Sequence, residues 1–181
     1  MSVEESSKKP AHARLPSFRV LQSQYPGTYT ADEVKRKVGG KLDSPEFADT
    51  CAMRMSWMLN HVNIPIPGPH HSVMLVLSGS NVDGHKAWYA IRHAEIRQWL
   101  AQVLGPPQIS KKAKPIQTAD FAGHKGIIVL DVAYIQHPGQ ANATGHIDLW
   151  DGSSFTESSE RGKEEATFAA ASRADLWVAP D

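Results

Sequence analysis

A single cysteine, Cys51, stands in the 181 residues. One thiol closes no intrachain disulfide and builds no CxxC metal or redox motif, so the fold is not disulfide-stapled. Neither sign of charge is in excess: 19 Lys and Arg against 19 Asp and Glu leave a formal net charge of zero. A general nucleic-acid binder, which carries a basic surplus, is therefore not expected. No apolar run approaches the ~20 residues that cross a bilayer, which excludes membrane insertion through a helix of this sequence. The opening MSVEESSKKPAHAR has charges but no apolar stretch behind it and does not read as a secretory signal. A soluble protein made in the cytoplasm is expected. The sequence also lacks HExxH, paired metal-ligand spacings, GxxxxGK[ST] and GxGxxG. No metal, nucleotide or other cofactor is expected from it.

What is present suits one globular domain. Apolar residues make up 41% and charged residues 21%, enough for a real core. Residues 1–14 read as a polar, disordered tail and 15–181 as a single domain. TADEVKRKVGGKL predicts a short helix capped by Thr30 or Asp32 and stopped at Gly39-Gly40. AEIRQWLAQVLGPP predicts an amphipathic helix with Ile96, Trp99, Leu100, Val103 and Leu104 on one face. Between them GPHHSVMLVLSGSNVDGHKAWYA reads as loop, strand, turn and strand. Lys111 to Lys114 read as a solvated basic loop. GIIVLDVAYI is a buried strand by its β-branched content, TGHIDLWDGSSFTE a hairpin, and ADLWVAP a short final strand. Helices first and strands later predict an α+β fold with an antiparallel sheet.

The cysteine lies where a helix begins. Cys51, Met55, Met58, Leu59 and Val62 fall on one helical face, Asp49 or Thr50 supplies an N-cap, and Asn63 with Pro65 and Pro67 ends the run. Arg54 and Ser56 are expected off the core face. A thiol in a first helical turn is either a small buried apolar group or a nucleophile favoured by the helix dipole. A nucleophile needs a base, and His146 is the best placed of nine histidines. In GHIDLWDG, His146, Asp148 and Trp150 alternate with Ile147 and Leu149. If Asp151-Gly152 form a two-residue turn, His146 faces Glu157 across the hairpin and a Cys/His/acid set is complete. A three-residue loop would leave Asp148 as the acid, with Asp151 more remote. His70-His71, His85, His93, His124 and His137 fall in loop or turn contexts.

CAMRMSWMLN, WYAIRHAEIRQWLAQVLGPP and TGHIDLWDG, in that order, resemble the fourth family of type VI secretion amidase effectors. These bacterial toxins are related to the NlpC/P60 papain-like cysteine peptidases. The resemblance runs from about Ser17 to Phe168. It implies a papain-like NlpC/P60-type fold, with the nucleophile-bearing helix packed on an antiparallel sheet. It implies a secreted antibacterial effector, a cysteine DL-endopeptidase or amidase that hydrolyses the γ-D-glutamyl–meso-diaminopimelate bond of peptidoglycan stem peptides. Its nucleophile falls on Cys51 and its histidine on His146. Its third residue, an aspartate eleven positions after the histidine, is Glu157 here. It also implies a type VI secretion apparatus as carrier, a cognate immunity protein as partner, synthesis in a bacterial cytoplasm without a signal peptide, and delivery to a target cell's periplasm. Two other functions stay open: a papain-like peptidase on protein substrates, and an inactive module that binds cell-wall peptides.

Overall fold

The structure, a computed structural model, describes residues 12–70, 74–80, 84–112, 115–132 and 145–181. Helices α1 (Phe18–Gln24), α2 (Ala31–Val38) and α3 (Cys51–His61) come first. Strands β1 (Val76–Ser80) and β2 (Lys86–Ala90), helix α4 (His93–Val103), and strands β3 (Ile109–Lys111), β4 (Gly126–Val132) and β5 (His146–Trp150) follow. Helix α5 (Glu164–Ala170) and strand β6 (Ala171–Val178) end the chain. The α+β class with antiparallel pairing is as the sequence implies. β1 and β2 form a hairpin, and the main sheet runs β3-β6-β4-β5.

Local chemistry explains the helix starts. At α2, Thr30 Oγ1 accepts from the Glu33 amide at 3.3 Å and Glu33 Oε2 accepts from the Thr30 amide at 2.7 Å, a reciprocal capping box. α4 begins at His93, one residue before the AEIRQWLAQVLGPP segment. Two helices were not foreseen. α1 and α5 have only seven residues each, too short for periodicity to stand out.

β4 is the central strand, and its Ile127, Ile128, Val129 and Leu130 are fully buried. Alternation sends Ile127 and Val129, with Ile147 and Leu149 of β5, against Met55, Met58 and Leu59 of α3 and Ile96 and Leu100 of α4. Ile128 and Leu130 face the other way, with Trp150, Phe121, Phe155 and Phe168. Phe155 and Phe168 stack at 5.9 Å, and Trp150 meets both rings edge-on or tilted. Truncating one of these rings to alanine costs about 3–5 kcal/mol. Two cores thus clamp the sheet from opposite faces and hold β5 rigidly.

Three expectations need correction. β6 is eight residues long and lies inside the sheet between β3 and β4, not a short closing strand. Lys111 belongs to β3 and pairs with Asp120 at 3.1 Å rather than lying in a solvated loop; Lys114 lies outside the described residues. The hairpin after β5 does not have a two-residue turn. Asp151 Oδ1 accepts from the amides of Ser153 at 2.9 Å and Ser154 at 2.7 Å. Gly152 takes φ +101°, which a side chain would strain. The side-chain bonds widen the loop to Asp151–Ser154, so Trp150 pairs with Phe155. The return segment forms this single bridge instead of a strand. Among the described residues, no helix is long and apolar enough to cross a membrane.

Candidate active site

Cys51 opens α3 and is 6% exposed. It packs against the outer edge of β5. Leu149 gives its carbonyl to the Thr156 amide at 2.9 Å and its own amide to Asp148 Oδ1 at 2.6 Å, so its polar groups point away from β4. By the two-residue strand period, Ile147 presents its amide on that same edge. That amide reaches the Cys51 thiol and favours its thiolate. Burial, the largest effect, opposes it and pushes the thiol well above the ordinary cysteine range; the Asp49 charge, the Asp49 hydrogen bond and the Glu157 charge add to the rise. Asp49 supplies the helix-start contact the sequence suggests: its Oδ1 accepts from the Cys51 amide at 2.9 Å. Thr50 is the N-cap by backbone, but its hydroxyl accepts from Arg54 instead.

His146 lies next to Ile147 on β5, 5% exposed, with its ring edge-on to Phe155 at 4.9 Å. The residue before it must be glycine: a Cβ on Gly145 would stand 2.0 Å from His93 Nε2. His146 Nε2 lies 3.4 Å from Asp148 Oδ2, long for a charge-assisted contact. Burial alone would lower the imidazole pKa, but the Asp148 hydrogen bond and charge, with Glu157 and Glu160 behind, outweigh it and raise it above 6.5.

The wider loop changes which acid meets the histidine. The expected register puts Glu157 opposite His146; the observed register, counted from the Trp150–Phe155 bridge, puts it opposite Asp148. The Glu157 amide indeed donates to Asp148 Oδ1 and Oδ2, each at 3.2 Å. The Glu157 carboxylate turns to Arg54 Nε at 3.1 Å and accepts from Ser159 at 2.7 Å. Its burial raises its pKa, against the lowering pull of Arg54. Cys51, His146, Asp148 and Glu157 therefore share one neighbourhood, with Asp148 in contact with the histidine. Asp151 stays in its turn.

Arg54 and Ser56 are the clearest departures from the helical pattern. Both were expected to face away from the core, yet Arg54 is 2% exposed and Ser56 fully buried. Arg54 also donates to the Pro26 carbonyl at 2.5 Å and to Thr50 Oγ1 at 3.2 Å. Ser56 donates to the Ala52 carbonyl and accepts from the Ala90 amide at 3.0 Å, tying α3 to β2. Periodicity treats both as polar and so turns them outward; loop partners offset the desolvation of Arg54, and its own helix and β2 that of Ser56.

Arg54 thereby anchors the loop that carries Tyr25, which the sequence did not single out. The Tyr25 ring is buried and its hydroxyl has no hydrogen-bond partner among the described residues. Burial, then the charges of Asp148 and Glu157, raise its pKa well above 10, and it feels Cys51 as well. This is a neutral donor left unused beside the thiol. Only an orphaned hydroxyl seen in three dimensions could reveal it. His93 sits at the wall beside Gly145, 3.4 Å from Asp131. His71 and His137 lie outside the described residues. Among the described residues, no group of three or more His, Cys, Asp or Glu is placed to hold a metal ion.

A helix that begins at a buried cysteine and packs on the histidine-bearing edge of an antiparallel sheet belongs to the papain-like fold of NlpC/P60 type. Residues 47–177 match the model of the family described as type VI secretion system amidase effector protein 4, Tae4, and the chain belongs to that family. The effector Tae4 from Salmonella typhimurium, solved with the immunity protein Tai4 from Enterobacter cloacae, is similar at a TM-score of 0.72 and 26% identity, over 91% of this chain and 99% of that one. Tae4 from Enterobacter cloacae is similar at a TM-score of 0.71 and 26% identity, over 94% and 99%. The Tae4–Tai4 complex from Salmonella Typhimurium gives 0.71 and 26%, over 91% and 99%. No curated protein sequence matches the chain. The chain is thus an amidase effector of type VI secretion.

Proposed function

We propose that this effector is a cysteine amidase that cleaves the γ-D-glutamyl–meso-diaminopimelate bond of peptidoglycan stem peptides in the periplasm of a target bacterium. The observation that carries the reading is Cys51 at the start of α3, set against the β5 edge beside His146. His146 takes the Cys51 thiol proton, the thiolate attacks the glutamyl carbonyl carbon, and the C=O π electron pair moves to oxygen. The Cys51 backbone amide and the Tyr25 hydroxyl donate to that oxyanion; Tyr25 stays protonated throughout, since its pKa is raised. The tetrahedral intermediate expels the diaminopimelate amine, which takes its proton from His146. Water, deprotonated by His146, then hydrolyses the acyl-enzyme and restores the thiol.

Asp148 orients His146 in this reading. Its contact with Nε2 favours the tautomer that leaves Nδ1 as the base. Glu157, the position the family resemblance implies, supports Asp148 through its amide and locks its own loop to Arg54. A cognate immunity protein, as the solved relatives have in Tai4, would protect the producing cell.

The test is mass spectrometry of meso-diaminopimelate muropeptides incubated with the wild type and with Cys51→Ala. The expected result is loss of the fragment beyond D-glutamate with the wild type only, and a folded, inert variant. A folded wild type that leaves muropeptides intact but digests casein would move the function to protein substrates. One that cleaves neither would point to a binding module.

A further inference from the structure

We propose that Asp49 is a positioning residue that clamps the Cys51 backbone amide in the free enzyme and must leave it before acyl transfer. The inference deepens the reading of Cys51 as nucleophile and rests on it. The geometry is direct: Asp49 Oδ1 accepts from the Cys51 amide at 2.9 Å. That amide has no acceptor within its own helix, and the developing oxyanion needs it. A carboxylate on the same N–H puts negative charge where the reaction must create more. The two anions compete for one donor, so binding of the substrate carbonyl is linked to displacement of Asp49.

Asp49 is free to move. Its side chain is exposed and forms no ion pair among the described residues. A rotation about its own side-chain bonds vacates the amide. In the clamped state burial and two carboxylates disfavour the thiolate. Asp49 faces it from the loop before α3, and Glu157 from the loop after β5. Tyr25, after α1, is neutral. Asp148 and His146 flank on β5, and Arg54 on α3 is engaged by Glu157. His93 of α4 faces Asp49, but burial and the Arg97 charge lower its pKa, so it does not neutralise the carboxylate. Against these, the Ile147 amide favours the thiolate.

The sole cysteine makes the test specific. The full chain is alkylated with iodoacetamide across pH 6 to 10, as wild type, Asp49→Asn and Asp49→Ala. Asparagine keeps an acceptor for the amide and removes only the charge, so it folds with the cap in place. The expected result is a midpoint moved to lower pH in both variants, with alkylation faster by about tenfold per unit of movement below the midpoint. Superimposable profiles, or a midpoint moved upward in Asp49→Asn, overturn the clamp. Alkylation uses no cell wall, so it decides the clamp even if muropeptides are not cleaved, which would be a failure of the substrate reading alone.

Discussion

Two arginines sit buried on two helices of eleven residues, and they do different things. Arg97 of α4 reaches regular structure: Asp131 of β4 at 2.6 Å, the Val129 carbonyl at 3.3 Å and Asp175 of β6 at 3.1 Å. Arg54 of α3 reaches loops: Pro26 beside Tyr25, Thr50 beside Cys51, and Glu157 behind Asp148. Strands are already held by ladders and two cores, so Arg97 adds to a frame that exists without it. Loops have no ladder. Arg54 gives three of them a common anchor, and those three carry the groups around the thiol. A buried ion pair is weak evidence for stability as such; here its position separates scaffold from site.

Substitution of each arginine breaks the comparison most severely. Arg97→Met leaves Asp131 without its closest partner and removes from Asp175 the longest of its three contacts, those with Ser110 and Arg173 remaining. It should cost about 3–5 kcal/mol in urea denaturation, while kcat of the remaining folded enzyme holds. Arg54→Met should cost a similar amount and also lower kcat, because Tyr25 and Glu157 lose their anchor. Equal kcat losses in the two variants would erase the distinction.

The two acids give the next effect. Asp148→Asn keeps an oxygen for the Leu149 and Glu157 amides but removes the charge beside His146. It should lower kcat by about 10²–10⁴. Glu157→Gln should lower it by no more than about tenfold, an estimate for a group acting behind the first. The opposite order would give the orienting role to Glu157. Tyr25→Phe should follow at about 10² in kcat, in the range of a lost oxyanion donor. Its stability should be unchanged, since the hydroxyl has no hydrogen-bond partner among the described residues; a large drop in Tm would mark Tyr25 as structural instead.

The smallest effect is in the pH profile. Charge from Asp148 and Glu157 raises the His146 pKa above 6.5 despite burial. A protonated imidazole cannot take the thiol proton, so activity rises as pH passes upward through that raised value. The acidic limb of kcat/KM should therefore lie above 6.5. Asp148→Asn should move it down, because the charge that holds the proton is gone. A limb that stays in place would show that Asp148 does not face the titrating group.

Much of this frame was legible in the chain. Capping chemistry, helical spacing and strand alternation are local, so Thr30, the start of α3 at Cys51 and the alternating His146, Asp148 and Trp150 could be read directly. The pairing of Cys51 with His146 was legible as a candidate, from the thiol's helix start and the family motifs. What failed turned on side-chain hydrogen bonds that spacing does not count, local at the turn after β5 and distant at Arg54. Asp151 binds two amides within its own turn and widens the loop, and this moves Glu157 from His146 to Asp148. A dipeptide turn signal carries no count of such bonds.

The sequence by itself determined helices α2, α3 and α4, the alternation of β5 and the absence of an intrachain disulfide, because each follows from neighbours along the chain or from composition. Only the tertiary structure decided that Arg54 and Ser56 lie inside, that Asp148 touches the histidine and that Tyr25 points an unpaired hydroxyl toward the site. Those outcomes depend on whether a buried polar group finds a partner many residues away. Desolvation costs more than any local preference can offset, so the three-dimensional partner, not the helical or strand period, has the final word.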